Sequence, residues 1–310
     1  MRFFKKAKKK DGWLTIAVQR DGVAATSVKR GEGKPFVRFA HFLPGQADAV
    51  LEKAGRDGQA NAYRCATLLS GGEYQVISVE SPNVPKEEMR TAIRWRLKDM
   101  LDFPVGDATV DVLDIPVEQG GAVRAQQSIF AIAARNSVIA PRQKLFLDAK
   151  IDLAVIDIPE MAQRNISALL EPEGRGVAML SFGADGGLLT VSFRGELYLS
   201  RRFDVTLDLL LEPDHDRKHA SFDRITLELQ RSLDNFERQF SFISVSKLLL
   251  APSPVTGLDE YLSSNMYMPV ETLDLAGVFD LTATPELADP AQQARFFLPL
   301  GAALRTEAAP

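Results

Sequence analysis

The run Gly183-Ala184-Asp185-Gly186-Gly187 carries the residue types that suit an anion. Backbone N–H groups approach a phosphate closely where no Cβ intervenes, and a nearby carboxylate suits magnesium, which takes oxygen ligands. A glycine run alone is weak support for such a site. The three histidines are His41, His215 and His219. His215 and His219 stand at i, i+4 spacing with Asp214 and Asp216 beside them, the outline of a surface metal site. No third ligand follows at zinc spacing, so 212–219 reads as a charged loop and no metal is expected. Cys65 lies in no sequence motif that would activate it and reads as core. Neither a nucleophile elbow nor a P-loop is present, and no catalytic residue is expected.

The elements that would position these residues belong to a soluble α/β chain. Its 310 residues are 45% apolar and 25% charged, with a net charge of −4, enough for two core-bearing lobes. No apolar run approaches the roughly 18 residues of a membrane span. Phe3 and Phe4 precede a cluster of lysines with no apolar stretch after them, which is not a secretory signal. Residues 1–10 read either as a weak contact to anionic lipid or as a solvated terminus. One cysteine excludes an internal disulfide and suits a reducing compartment, so a cytoplasmic location is expected. Mild acidity and the lack of a basic stripe with interleaved aromatics argue against nucleic acid.

Periodicity and turn residues predict strands over 13–18, 23–28 and 36–42, turning at Asp21-Gly22 and Gly31-Glu32-Gly33. A helix over 46–54 and a strand over 62–68 follow. Residues 74–149 then read strand, helix, strand, strand, helix, with a turn at Gln119-Gly120-Gly121 and a strand over 125–134. A strand over 151–158 and a helix over 160–170 lead to the break at Glu171-Pro172-Glu173-Gly174. A second strand meander (176–182, 188–193, 196–203) echoes the first. A helix capped by Ser221 and running over 222–240 comes next. Then follow a strand at 244–250, a helix at 257–264, a strand at 270–273, a polar loop at 282–290 and a helix at 291–305.

The stretch Ser81–Pro116, SPNVPKEEMRTAIRWRLKDMLDFPVGDATVDVLDIP, is the most organised. Pro85 suits a first helical turn, Glu87 and Glu88 suit the N-terminal end of the dipole, and Met89, Ala92, Ile93, Leu97, Met100 and Leu101 recur at helical spacing. Pro104 stops the helix, and 107–115 alternates as a strand does. This stretch resembles the PilM family of type IV pilus assembly proteins, and RWRLKDMLDFPVGDATVDVLDIP resembles its MshI branch. Gly301, Ala303, Leu304 and Arg305 resemble the family's closing helix. The resemblance implies an actin-like, two-lobed α/β fold shared with FtsA, with an inserted small α+β subdomain. In those terms 11–72 with 151–175 form the first lobe, 73–150 the insert, and 176–310 the second lobe with a reduced 2B region.

Actin-like ATPases hold their nucleotide between two hairpins and a Gly-Gly turn. This chain departs from that pattern. Asp21-Gly22 is adjacent where the family spaces Asp-x-Gly. Ser181 replaces the second acidic residue, although Gly183 remains. Ala251-Pro252-Ser253-Pro254 stands at the adenine turn, where proline supplies no N–H. Only the short segment 204–220 replaces a larger covering insertion. A degenerate site is expected, with no ATP hydrolysis and no cofactor. A vestigial cradle of Gly183, Asp185, Gly186 and Gly187 is the counter-reading.

The resemblance further implies a cytoplasmic adaptor at the inner membrane, part of an MSHA-like pilus machine and compatible with an oligomer inside it. Its partner would be the short cytoplasmic N-terminal segment of a bitopic PilN-like protein, held in a groove that the 81–104 region borders. Arg90, Arg94 and Lys98, with Trp95 beside them, read as a partner-binding stripe or as a solvated helix face. Two other readings stand beside this one: an active actin-like ATPase of pilus assembly, and a GspL-like cytoplasmic domain of a type II secretion system. The latter family carries a membrane helix after the domain.

Overall fold

A computed structural model describes residues 12–117 and 127–306. The basic tail 1–10, the turn at 119–121 and the first residues of the strand expected from 125 lie outside the described residues.

The first lobe begins as a three-strand meander, β1 (Trp13–Gln19), β2 (Gly22–Lys29) and β3 (Phe36–Pro44). A Cβ on Gly22 would lie 2.3 Å from the Leu43 carbonyl oxygen, so only glycine lets β2 start this close to β3. Helix α1 (Ala47–Asp57) and strand β4 (Arg64–Leu68) follow. The insert contributes β5 (Tyr74–Glu80), α2 (Lys86–Leu97), β6 (Ala108–Asp114), β7 (Ser128–Arg135) and α3 (Asn136–Asp148). Strand β8 (Leu153–Asp157) returns to the first sheet and leads into α4 (Pro159–Ser167).

The second lobe repeats the scheme. Strands β9 (Gly176–Gly183), β10 (Gly186–Phe193) and β11 (Glu196–Phe203) form its meander. Then come α5 (Leu207–Leu210), α6 (His215–Gln239), β12 (Val245–Leu250), α7 (Leu258–Asn265), β13 (Val270–Thr272), α8 (Leu275–Val278) and α9 (Pro290–Ala303).

The sheets run β3-β2-β1-β4-β8 and β11-β10-β9-β12-β13, the same order in each lobe. Within each, the first three strands are antiparallel and the last two join in parallel. The insert is a smaller sheet, β5-β7-β6.

Two helices cross between the lobes. α4 continues from the first sheet but packs on β9, β10 and β11; α9 closes the second half but packs on β1 and β2. With α1 on the other side of the first sheet, β1 and β2 are buried on both faces. They therefore show no apolar–polar alternation, and their polar residues Thr15, Thr26 and Ser27 are buried among apolar ones. At the crossing, a Cβ on Gly301 would stand 2.2 Å from the Ala162 carbonyl oxygen, so glycine is what lets α4 and α9 meet.

One expected element boundary is corrected. Residues 215–219 are helix, not charged loop, and the cap is Asp214, whose carboxylate accepts from the N–H groups of Asp216 and Arg217. Ser221 lies inside α6, donating to the Arg217 carbonyl at 3.1 Å. Pro85 likewise precedes α2 as its cap, and Met100 lies past the helix end, half exposed.

Candidate functional site: the junction of the lobes

Glu160 sits in the first turn of α4, where a helix N-terminus favours a carboxylate, and it is fully buried. Arg202 of β11 donates to its Oε1 at 2.8 Å, and Ser200 does so at 3.4 Å. The Tyr74 hydroxyl donates to Oε2 and accepts from Arg202. The insert, the first lobe and the second lobe thus meet on one carboxylate. Burial, then the charge of Glu160, push the Tyr74 hydroxyl well above its ordinary range. Burial works against the Arg202 charge, but Glu160 and Tyr74 together outweigh it and raise the guanidinium's pKa.

The other carboxylates here are engaged as well. Asp185, at the tip of the β9–β10 hairpin, accepts from the Gly71 N–H at 2.9 Å, a bond between lobes. Asp157 accepts from Arg305 at 2.7 Å and from the Ile158 N–H at 2.9 Å. Asp21 takes both Arg295 guanidinium nitrogens at 3.0 and 2.8 Å, and this bonding lowers its pKa. Ser181 donates to Gln163 Oε1 at 2.7 Å, while the Gln163 amide donates to the Met179 carbonyl and to Thr190.

The glycine run is mostly strand. Gly186 has φ of +110°, and a Cβ there would come within 2.2 Å of the Phe203 carbonyl oxygen. A Cβ on Gly187 would meet the Phe182 ring at 2.8 Å. Both glycines therefore have a packing reason, whereas Gly183 faces open space. Asp21, Asp157, Glu160 and Asp185 are thus all bonded within the protein.

A second feature escaped the sequence reading. A cavity of about 380 Å³ lies between the first turns of α6 and the start of α7, lined by His215, Lys218, His219, Phe222, Thr256 and Tyr261. The two imidazoles lie 4.3 Å apart, and Lys218 donates to Thr256 at 3.4 Å. Gly257, at φ of +81°, caps α7 without a side chain, so the first N–H groups of that helix have no side-chain partner at the cap. Glu260 also lines the cavity, so the lining carries both signs of charge and suits a polar ring. Among the described residues no group of three or more His, Cys, Asp or Glu could hold a metal. The signal in the sequence was Asp214 as a cap, obscured by the polar residues after it.

On α2, the basic stripe is partly consumed by internal contacts. Arg90 pairs with Asp111 at 2.8 Å. Arg94 turns inward and donates to the carbonyls of Ala108 and Val105 at 3.0 and 2.9 Å. Trp95, 74% exposed, and Lys98 remain on the surface.

No family model and no curated protein matches the sequence. Among solved structures, the chain is similar to one from a PilM-PilN type IV pilus biogenesis complex, at 18% identity over 97% of this chain and 98% of that one, with a TM-score of 0.75. It is also similar to a Bacteroides thetaiotaomicron protein with actin-like ATPase fold and unknown function (13% identity, 93% and 99% coverage, TM-score 0.48). A third is the cytoplasmic domain of EpsL, an inner membrane component of the type II secretion system of Vibrio cholerae (11% identity, 93% and 94% coverage, TM-score 0.48). The doubled sheet order, the crossed helices and the inserted three-stranded sheet together make this an actin-like fold of the PilM form.

Proposed function

We propose that this chain is a non-hydrolysing adaptor of a type IV pilus assembly machine of the MSHA kind. It would act in the cytoplasm at the inner membrane, docking the N-terminal segment of a PilN-like bitopic protein near the insert. The observation that carries the non-hydrolysing part is the junction itself. Glu160, Asp21, Asp157 and Asp185 are bonded to Arg202, Arg295, Arg305 and the Gly71 N–H, so magnesium would have to compete with those partners. The docking part is supported by the PilM-like fold and by the exposed Trp95 beside Lys98 on the insert. Among the described residues no helix is long and apolar enough to cross a membrane.

The cavity beside His215 and Lys218 favours a second reading, nucleotide binding in an actin-like ATPase. Calorimetric titration separates the two. Magnesium ATP should give no heat of binding, and the N-terminal peptide of the PilN-like protein should give a saturable one. Micromolar ATP binding that Lys218→Ala abolishes would replace the adaptor reading with the nucleotide-dependent one.

A further inference from the structure

The outer edge of the first sheet is a surface that the proposed function does not use. β3 ends the strand order on that side. It is bridged at Phe36–Asp280, where the Val37 N–H donates to the Asp280 carbonyl at 3.0 Å. Beyond that bridge no described strand pairs with its outer side. An edge with unpaired N–H and C=O groups is a template for an added strand, and proteins usually blunt it with lysine, proline or a bulge. β3 has a register irregularity at Arg38, between Val37 and Phe39, and past it the stretch 39–43 is Phe-Ala-His-Phe-Leu, free of lysine and proline until Pro44.

A groove of about 680 Å³ runs beside 40–43. Phe42 joins Phe296 in the core under α9, while Leu43 joins the core under α1, because successive residues face opposite ways. The groove wall carries Asp57 at the end of α1 and, beside α9, Glu286 and Asp289. Arg295 lies 3.7 Å over the Phe42 ring, but its charge is engaged by both oxygens of Asp21. A strand laid along β3 would therefore meet carboxylates on both of its faces, with apolar rings between them.

We infer that the β3 edge receives an extended, lysine- or arginine-rich segment of a partner protein by strand addition. Backbone pairing supplies affinity in this mode, and the two acidic walls select the sign of the side chains.

The test uses the full chain and fluorescence anisotropy with two labelled octapeptides, alternating Lys-Val and alternating Glu-Val. The Lys-Val peptide should bind saturably, and the Glu-Val peptide at least about tenfold more weakly. The double variant Asp57→Lys, Glu286→Lys should weaken Lys-Val binding by about tenfold or more. Both residues are exposed, and circular dichroism would check that the fold is kept. Asp289 is left alone because it caps α9. N-methylation at one alternate set of peptide positions should abolish binding, and at the other set should be tolerated. Unchanged binding to the double variant, or equal effects of both methylation sets, overturns the inference. So does a variant lacking residues 1–10 that binds Lys-Val at least about tenfold more tightly than the full chain, since the chain's own basic segment would then compete for the groove.

Discussion

Glu160 has no solvent exposure, so its partners decide what the junction tolerates. Arg202→Ala leaves that carboxylate buried beside the Tyr74 and Ser200 hydroxyls with no positive charge and should cost about 3 kcal/mol in urea denaturation. Replacing Glu160 by Gln and Arg202 by Met together should cost less than Arg202→Ala, because no charge is then left unpaired. Tyr74 adds a pH dependence. The unfolded chain ionises this tyrosine near the ordinary 10.0, whereas the folded chain keeps the proton to higher pH. Its contribution is complete below about pH 10 and is lost as the pH rises beyond that value. The stability advantage of the natural chain over Tyr74→Phe should therefore hold up to about pH 10 and shrink as the pH rises beyond it. None of this cluster was legible in the sequence, because Tyr74 and Arg202 lie 86 and 42 residues from Glu160. Gly301 was noticed, but for its resemblance. The structural reason is the Ala162 carbonyl, and Gly301→Ala should cost about 3 kcal/mol by forcing two helices apart.

Elements were more legible than contacts, since turns and periodicity are local. Asp21-Gly22 marks a hairpin, though neither residue has positive φ and Gly22 is needed for its close approach to Leu43; at the β10–β11 turn Arg194 and Gly195 do adopt positive φ, 53° and 75°. The insert's strand-helix-strand-strand-helix order was readable for the same reason. Helix α6 was misjudged at its start because its first two turns project beyond the core, with no buried residue before Phe222. Periodicity reports only the packed part of a helix. A pair of substitutions tests the new boundary by thermal melting. Asp214→Ala should cost about 1 kcal/mol as a lost cap. Ser221→Ala should be neutral within about 0.5 kcal/mol, because its hydroxyl only returns to the turn before it.

At the scale of the molecule, the doubling of the sheets was visible only as two similar meanders. The strand orders agree, but side chains fill the two copies differently, so the repeat lives in the backbone and not in aligned residues. The expectation of a degenerate site rests on Ser181 where the pattern has an acid and on the lack of a Gly-Gly turn at 251–252. What the sequence did not announce is that the remaining acids bond across lobes and the insert. The crossed helices have a consequence for how the chain is made. Thr26 on β2 donates to the Pro299 carbonyl on α9, a partner 273 residues later. During synthesis the first sheet therefore waits, with one apolar face uncovered, until nearly all the described chain has emerged. A ribosome that stops before α9 would release a first lobe complete in its own strands yet unable to close. Premature termination late in the message should thus yield an aggregating product, whereas supplying 280–306 as a separate peptide should return part of it to solution.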